Sequence, residues 1–232
     1  MDRISLILPS YKRHNMLRGV LENIKTQVND AVYELEIVTI VDDDKKGMEI
    51  VTEFHFNNPG LFWNSTVMRE GKIGQLAAWN IGMKYASGNY FVHMGDDGRF
   101  HGNALELAYN TLKDKFQGYG MVAFNDLNLN GDTQVGTHVI FNRQFCKDVL
   151  GGVMVTPHYK AYCVDLEFNE RAKSVGRYYW CSQAVLEHLH SSNGKRELFE
   201  DELLKVPFTE EDTKLFLERK ARGFPDDFEP VI

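Results

Sequence analysis

Four short apolar runs in the first hundred residues, separated by amphipathic stretches, restrict the fold of this chain more than any other feature. Ile4–Leu8, Leu35–Val41, Phe62–Met68 and Tyr90–Met94 read as strands. Helices are predicted between them, over about 15–27, 45–56 and 73–85, from the spacing of apolar residues. Leu35–Val41 is apolar on both faces apart from Glu36 and Thr39, as strands inside a parallel sheet are. This βαβαβαβ order predicts a three-layer α/β/α fold, with a mainly parallel central sheet and helices on both faces.

The second half is less regular. A helix is predicted over 104–116, a strand over 120–125, and a hairpin turn at Asn130-Gly131 leading into a strand over 137–141, which together add a small antiparallel element. A helix over 165–175, an extended run over 178–190 and two short helices near 197–205 and 210–221 complete the chain. No repeat, low-complexity stretch or interdomain linker interrupts it, so one domain over 1–232 with a C-terminal extension is expected. A chain of 232 residues with 43% apolar content is long enough for one full core.

The net charge of −7 gives no whole-molecule attraction to nucleic acid or to an anionic membrane. Cys146, Cys163 and Cys181 are odd in number and share no short ligand spacing, which argues against a disulfide framework and for a reducing compartment. The apolar run at the N-terminus is too short for a signal peptide or a membrane span. A soluble, cytoplasmic protein without a transmembrane segment is the expectation.

The polar chemistry gathers at three strand ends. The first strand ends in Pro9-Ser10-Tyr11-Lys12-Arg13, the second in Val41-Asp42-Asp43-Asp44 and the fourth in Gly95-Asp96-Asp97-Gly98. Open parallel sheets bind ligands beyond the carboxyl ends of their strands, where the loops diverge. Each motif taken singly has a plain structural role: Ser10 as a cap, one of the three acids as the N-cap of the next helix, Asp96-Asp97-Gly98 as a turn. Together they place five carboxylates on one rim. Such acids repel by ~1 kcal/mol per close pair even in water, and a divalent cation such as Mg²⁺ or Mn²⁺ removes that cost. Neither a P-loop nor a dinucleotide-binding glycine fingerprint is present, so a nucleoside diphosphate would be held through a metal on Asp97.

Taken together, ISLILPSYKR, IVDDD, GKIGQLAAWNIGMKYASGNYFVHMGDDGRF and VDLEFNERAKSVG resemble a family 2-like glycosyltransferase of the GT-A fold, from about Ile4 to His190. The block over 72–97 is the most specific part. The resemblance implies a nucleoside-diphosphate sugar donor (UDP-sugar favoured), a divalent metal (Mn²⁺ or Mg²⁺) and inversion at the anomeric carbon. It divides the chain into a nucleotide-binding half over 1–100, an acceptor half over 101–195 and a helical extension over 196–232. It also implies that Pro9, Ser10 and Tyr11, with Arg13 beside them, line the nucleotide pocket. Asp42 or Asp44 would meet the base, Asp96 would lie near ribose and metal, and Asp97 would bind the metal. Many relatives carry Asp-x-Asp where this chain has Gly95-Asp96-Asp97, so which carboxylate meets the ribose stays open.

On the helix over 73–85, Ile73, Leu76, Ala77, Asn80 and Ile81 form one apolar face with Asn80 as its lone polar residue. A hydrogen bond from Asn80 to a neighbouring loop is its plain role. The family resemblance implies that the helix start, with Lys72 and Gly74, approaches the donor. Inverting transfer needs a carboxylate base, and the resemblance assigns Asp165, whose plain role is a helix N-cap, with Glu167 in reserve. His188 and His190 share one face of an extended run, and the family habit of a late histidine on the metal points to them, His190 first. The loop over 191–196 would then close on the diphosphate, Lys195 or Arg196 countering its charge.

The acceptor is not legible: a saccharide, a lipid-linked glycan, a protein or a modified nucleic acid all fit. Arg171, Lys173 and Arg177, and Arg219, Lys220 and Arg222, would suit an anionic one, and solvated helix faces explain them equally. A sugar-phosphate nucleotidyltransferase is the first rival, disfavoured because Pro9–Arg13 contains no glycine. A non-catalytic nucleotide-sugar-binding domain is the second.

Overall fold

In a computed structural model, the structure describes every residue except 60–61, 69–70, 129–134, 192–193 and 198–205, and for 62–68 the backbone alone. The strands are β1 (Arg3–Ser10), β2 (Glu34–Asp42), β3 (Phe62–Met68), β4 (Tyr90–His93), β5 (Gly98–Phe100), β6 (Met121–Asn125), β7 (Val139–Asn142) and β8 (Tyr178–His188). The helices are α1 (His14–Ile24), α2 (Lys45–Asn57), α3 (Gln75–Tyr85), α4 (Ala104–Phe116), α5 (Arg143–Val149), α6 (Val164–Ser174) and α7 (Phe208–Ala221), with a 3₁₀ turn at Lys25–Gln27. The expected hairpin turn at Asn130-Gly131 lies outside the described residues, as does the helix near 197–205 apart from Glu197.

The sheet runs β3-β2-β1-β4-β7-β6-β8-β5. β2, β1 and β4 are parallel neighbours, so the three polar strand ends do meet on one rim. β7 runs antiparallel to both β4 and β6, and β5 antiparallel to β8, which supplies the antiparallel addition. One core packs under α1, α2 and α4, including Leu6, Val41 and Leu105. A second packs under α3, α5 and α6, including Ile7, Phe91 and Phe168. The architecture is α/β/α, as the alternation of elements requires.

Three local readings are corrected. β5 and α5 were not anticipated: β5 is three residues long, and α5 is capped by Asn142, whose side chain accepts from the amides of Gln144 and Phe145. α3 begins at Gln75 rather than Ile73, because the backbone amides of Ile73 and Gly74 donate to Asp42 at 3.0 and 2.9 Å instead of entering the helix. The buried residues of α3 are Ala78, Trp79, Gly82 and Met83, not the stripe expected from periodicity. A Cβ on Gly82 would stand 2.4 Å from Ile7 Cγ2, so that glycine lets the helix lie against β1. Leu76 and Ile81 are half-buried on its flank, and Ala77 is exposed.

Candidate active site

The crowded carboxylates find individual partners. Asp42, at the end of β2, accepts the two amides just described. Asp44 occupies the N-cap position of α2, but its oxygens turn to the Lys12 amide at 3.0 Å and to His14 Nε2 at 2.9 Å. Burial works against its charge, and His14 together with the amides of Gly47 and Lys12 more than offsets this, lowering its pKa. Asp43 is exposed. Asp96 accepts from Ser10 Oγ at 2.8 Å and from Arg13 Nη1 at 3.1 Å. Burial and the adjacent charge of Asp97 raise its pKa, against the pull of Arg13. The acid crowding is therefore relieved largely within the protein, and Asp97 is the rim carboxylate that faces both His138 and His188.

Asp97 Oδ2 lies 3.4 Å from His188 Nε2, 3.4 Å from Arg196 Nη2 and 3.7 Å from Arg13 Nη1. Burial pushes its pKa up, but His188, His138 and Arg13 hold it well below the usual carboxylate range. The turn carrying it is tied to the far strand by the Leu189 amide, which donates to the Asp97 carbonyl at 2.8 Å. Asp97, His138 and His188 each offer a ligand atom, all within 4.8 Å of one another. His138 was not singled out in the sequence. It directly precedes β7, and only the antiparallel pairing of β7 with β4 brings it to the acidic turn. Neither of its ring nitrogens has a hydrogen-bond partner, although it is buried. Desolvation keeps it neutral, the form that ligates metals. These residues fit a divalent ion. His190 lines the same cavity with its ring 5.0 Å from that of His188, so the imidazole nearest Asp97 belongs to His188, two residues earlier.

Two cavities adjoin at Arg13, Gln75 and Ala161. The first, of about 210 Å³, is lined by Pro9, Ser10, Tyr11, Arg13, Asp42, Lys72, Gly74 and Asp96, and closed by Lys160, Ala161 and Phe208. Lys72 Nζ sits 4.3 Å from the centre of the Tyr11 ring. The second, of about 680 Å³, contains Asp97, His138, His188, His190, Arg196 and Asp165, with Trp79 and Tyr162 on its wall. Trp79 is pinned by its indole N–H to the Met94 carbonyl at 2.9 Å.

Several candidates stand elsewhere. Asn80 spends its amide on the segment beside α3: Nδ2 donates to the Val155 carbonyl at 2.8 Å, and Oδ1 accepts from the amides of Met154 and Val155. It lines neither cavity, which matches its plain reading as a loop latch. Asp44 also lines neither. Lys195 pairs with Glu187 at 2.8 Å, and Arg196 rather than Lys195 lines the second cavity. Asp165 is not the N-cap of α6, a position held by Cys163. It lies in the first turn, where Oδ1 accepts from the Leu166 amide, and burial raises its pKa.

Glu167 is buried and accepts from Thr156, Tyr159, Arg171 and Arg219, so it is a structural hub rather than a reserve base. Arg171 and Arg219 are spent on it, on Asp226 and on Asp227, which removes the core of both basic clusters proposed for an anionic acceptor.

Residues 5–166 match the family model "Glycosyl transferase family 2". No curated protein sequence matches the chain. Among solved structures it is similar to a mannosyltransferase from Pyrobaculum calidifontis in complex with GDP-Man and Mn²⁺, at 18% identity and TM-score 0.66, covering 81% of this chain and 56% of that one. It is also similar to Staphylococcus aureus TarS residues 1–349 in complex with UDP-GlcNAc, at 14% identity and TM-score 0.62, covering 85% and 62%. The chain thus spans little more than half the length of these structures, and the likeness establishes the GT-A fold.

Proposed function

The chain belongs to glycosyl transferase family 2, and from that premise we propose that it is a metal-dependent, inverting enzyme moving a sugar from a nucleoside-diphosphate sugar, UDP-linked by preference, to an acceptor hydroxyl. The observation that carries the reading is the joining of two cavities at Arg13, with Ser10, Asp42 and Asp96 on one side and Asp97 and Asp165 on the other. The nucleoside occupies the first cavity, where Pro9, Ser10 and Tyr11 form one wall and Asp42 holds the Lys72–Gly74 segment against it. The diphosphate crosses at Arg13. Asp97 with His188, and His190 close by, would hold a Mn²⁺ or Mg²⁺ ion, which when bound neutralises charge on the leaving diphosphate.

Arg13 and Arg196 place fixed positive charge at the same point, where negative charge grows as the glycosidic bond breaks. Asp165 takes the proton from the acceptor hydroxyl in the second cavity; a pKa raised by burial increases its proton affinity over that of a solvated carboxylate. Tyr162, half-buried on the wall of that cavity, offers a flat surface for an acceptor ring. The acceptor can be a saccharide, a lipid-linked glycan, a protein or a modified nucleic acid. No helix among the described residues is long and apolar enough to cross a membrane.

Asp97→Asn tests the reading. Transfer from a UDP-sugar in Mn²⁺ is expected to fall by about 10²-fold or more, and the thermal shift given by UDP with Mn²⁺ to shrink toward that given by UDP alone. Full metal-dependent transfer by the variant refutes the assignment.

A further inference from the structure

Resting on the metal-dependent reading, we propose that His138 ligates the same ion as Asp97 and His188, and that this set of two imidazoles and one carboxylate selects first-row transition-metal ions over Mg²⁺. The three groups stand on separate, well-tied parts of the fold. Asp97 lies in the turn between β4 and β5, His138 at the entry to β7, and His188 at the last residue of β8. The His138 carbonyl accepts from the Phe124 amide at 3.0 Å and the His188 amide donates to the Asp126 carbonyl at 3.0 Å, so neither backbone is loose.

His138 is 3% exposed, yet neither of its ring nitrogens has a partner. A buried polar group left so is destabilising, and a ring kept only to fill space would be better replaced by Leu or Phe. Its ring stands 4.9 Å from that of His188, tilted by 60°.

The separations suit a shared ion. Two nitrogen or oxygen ligands each roughly 2.0–2.2 Å from one metal are at most about 4.4 Å apart, so a set within 4.8 Å closes with small side-chain adjustments. Arg196 Nη2 donates a long hydrogen bond to Asp97 Oδ2 at 3.4 Å and Arg13 Nη1 lies 3.7 Å from the same oxygen, both beyond the about 2.7–2.9 Å of a full charge-assisted hydrogen bond. Contacts this long yield to a cation on that carboxylate. Mg²⁺ prefers an all-oxygen octahedron and gives up water reluctantly. Nitrogen donors favour first-row ions increasingly from Mn²⁺ toward Co²⁺ and beyond.

The test is direct metal binding by the full chain without nucleotide, using Mn²⁺ alone and then Mg²⁺ as competitor. His138→Leu, which keeps the packing, is expected to weaken Mn²⁺ binding by about 10-fold or more and to narrow the preference over Mg²⁺. Independently of any substitution, electron spin-echo modulation of bound Mn²⁺ in the unmodified protein should report two directly ligated imidazole nitrogens. An unchanged Mn²⁺-to-Mg²⁺ ratio in the variant, or a single coupled nitrogen, overturns the proposal. Asp97→Asn separates the levels: loss of Mn²⁺ with that substitution but not with His138→Leu sinks this inference alone. Mn²⁺ binding indifferent to both sinks the metal part of the functional reading as well.

Discussion

Asp165 and Glu167 lie two positions apart on α6 and differ in what surrounds them. Asp165 has one backbone amide and a cavity. Burial raises its pKa above the ordinary 3.8, so the folded chain binds its proton more tightly than the unfolded chain does. Its contribution to stability is therefore present below the unfolded pKa and lost as pH rises through the folded one. At pH 7 the charge is a cost, and Asp165→Asn is expected to melt at the wild-type temperature or above it while transfer falls by about 10²–10⁴-fold. Calorimetry paired with a transfer assay checks both halves.

Glu167 shows the opposite balance. Its two oxygens accept from Arg219 at 2.8 and 3.0 Å, from Arg171 at 3.1 Å, from Thr156 at 2.8 Å and from Tyr159 at 2.6 Å. Glu167→Ala takes from the buried Arg171 and Arg219 the carboxylate they share, leaving them the more exposed Asp226 and Asp227, and should cost about 3–5 kcal/mol in urea denaturation. The sequence offered both acids on one helix. Only their neighbours, drawn from segments up to 52 residues away, distinguish a reactive carboxylate from a structural one.

Among the elements, α3 shows how far periodicity reaches. Its existence and its end at Tyr85 were legible, because an apolar 3.6-residue repeat and the stop at Ser87-Gly88 are local signals. Its orientation was not. The face turned to the sheet is chosen by Gly82, which admits Ile7 of β1, and by Trp79, whose indole finds the Met94 carbonyl. Gly82→Ala is expected to destabilise by about 1–3 kcal/mol, measured by chemical denaturation, although alanine favours a helix. The early part of the expected helix, Ile73 and Gly74, was captured instead by Asp42. Gly74 has φ +85°, outside helical geometry, and that break turns the segment with Lys72 toward the first cavity.

The molecule as a whole is held to its site by the C-terminal extension. Asp212 of α7 is 1% exposed and accepts from three successive amides: Lys160 at 3.0 Å, Ala161 at 2.8 Å and Tyr162 at 2.7 Å. Lys160 lines the first cavity, Tyr162 the second and Ala161 both, and Phe208 from the same helix closes the first. Asp212→Ala strands three part-buried N–H groups. We expect a lower melting temperature and weaker UDP binding, with KM for the donor rising more than kcat falls; unchanged donor affinity by calorimetric titration would show that the wall holds without its clasp. Nothing local marks Asp212, one acid among several on a charged helix, because its partners lie 50 to 52 residues earlier.

Alternating apolar and amphipathic stretches, read locally, were enough to determine the layers, the parallel half of the sheet and the rim where its polar ends gather, since hydrophobic period and the alternation of strand with helix are properties of neighbouring residues. The GDDG turn and the PSY exit were visible for the same reason. Which acids were already satisfied, which histidine faced Asp97, and that His138 belonged with them were decided by tertiary structure alone. Burial and hydrogen-bond partnership are set by residues from β4, β7 and β8 meeting in space, and no window of sequence contains all three.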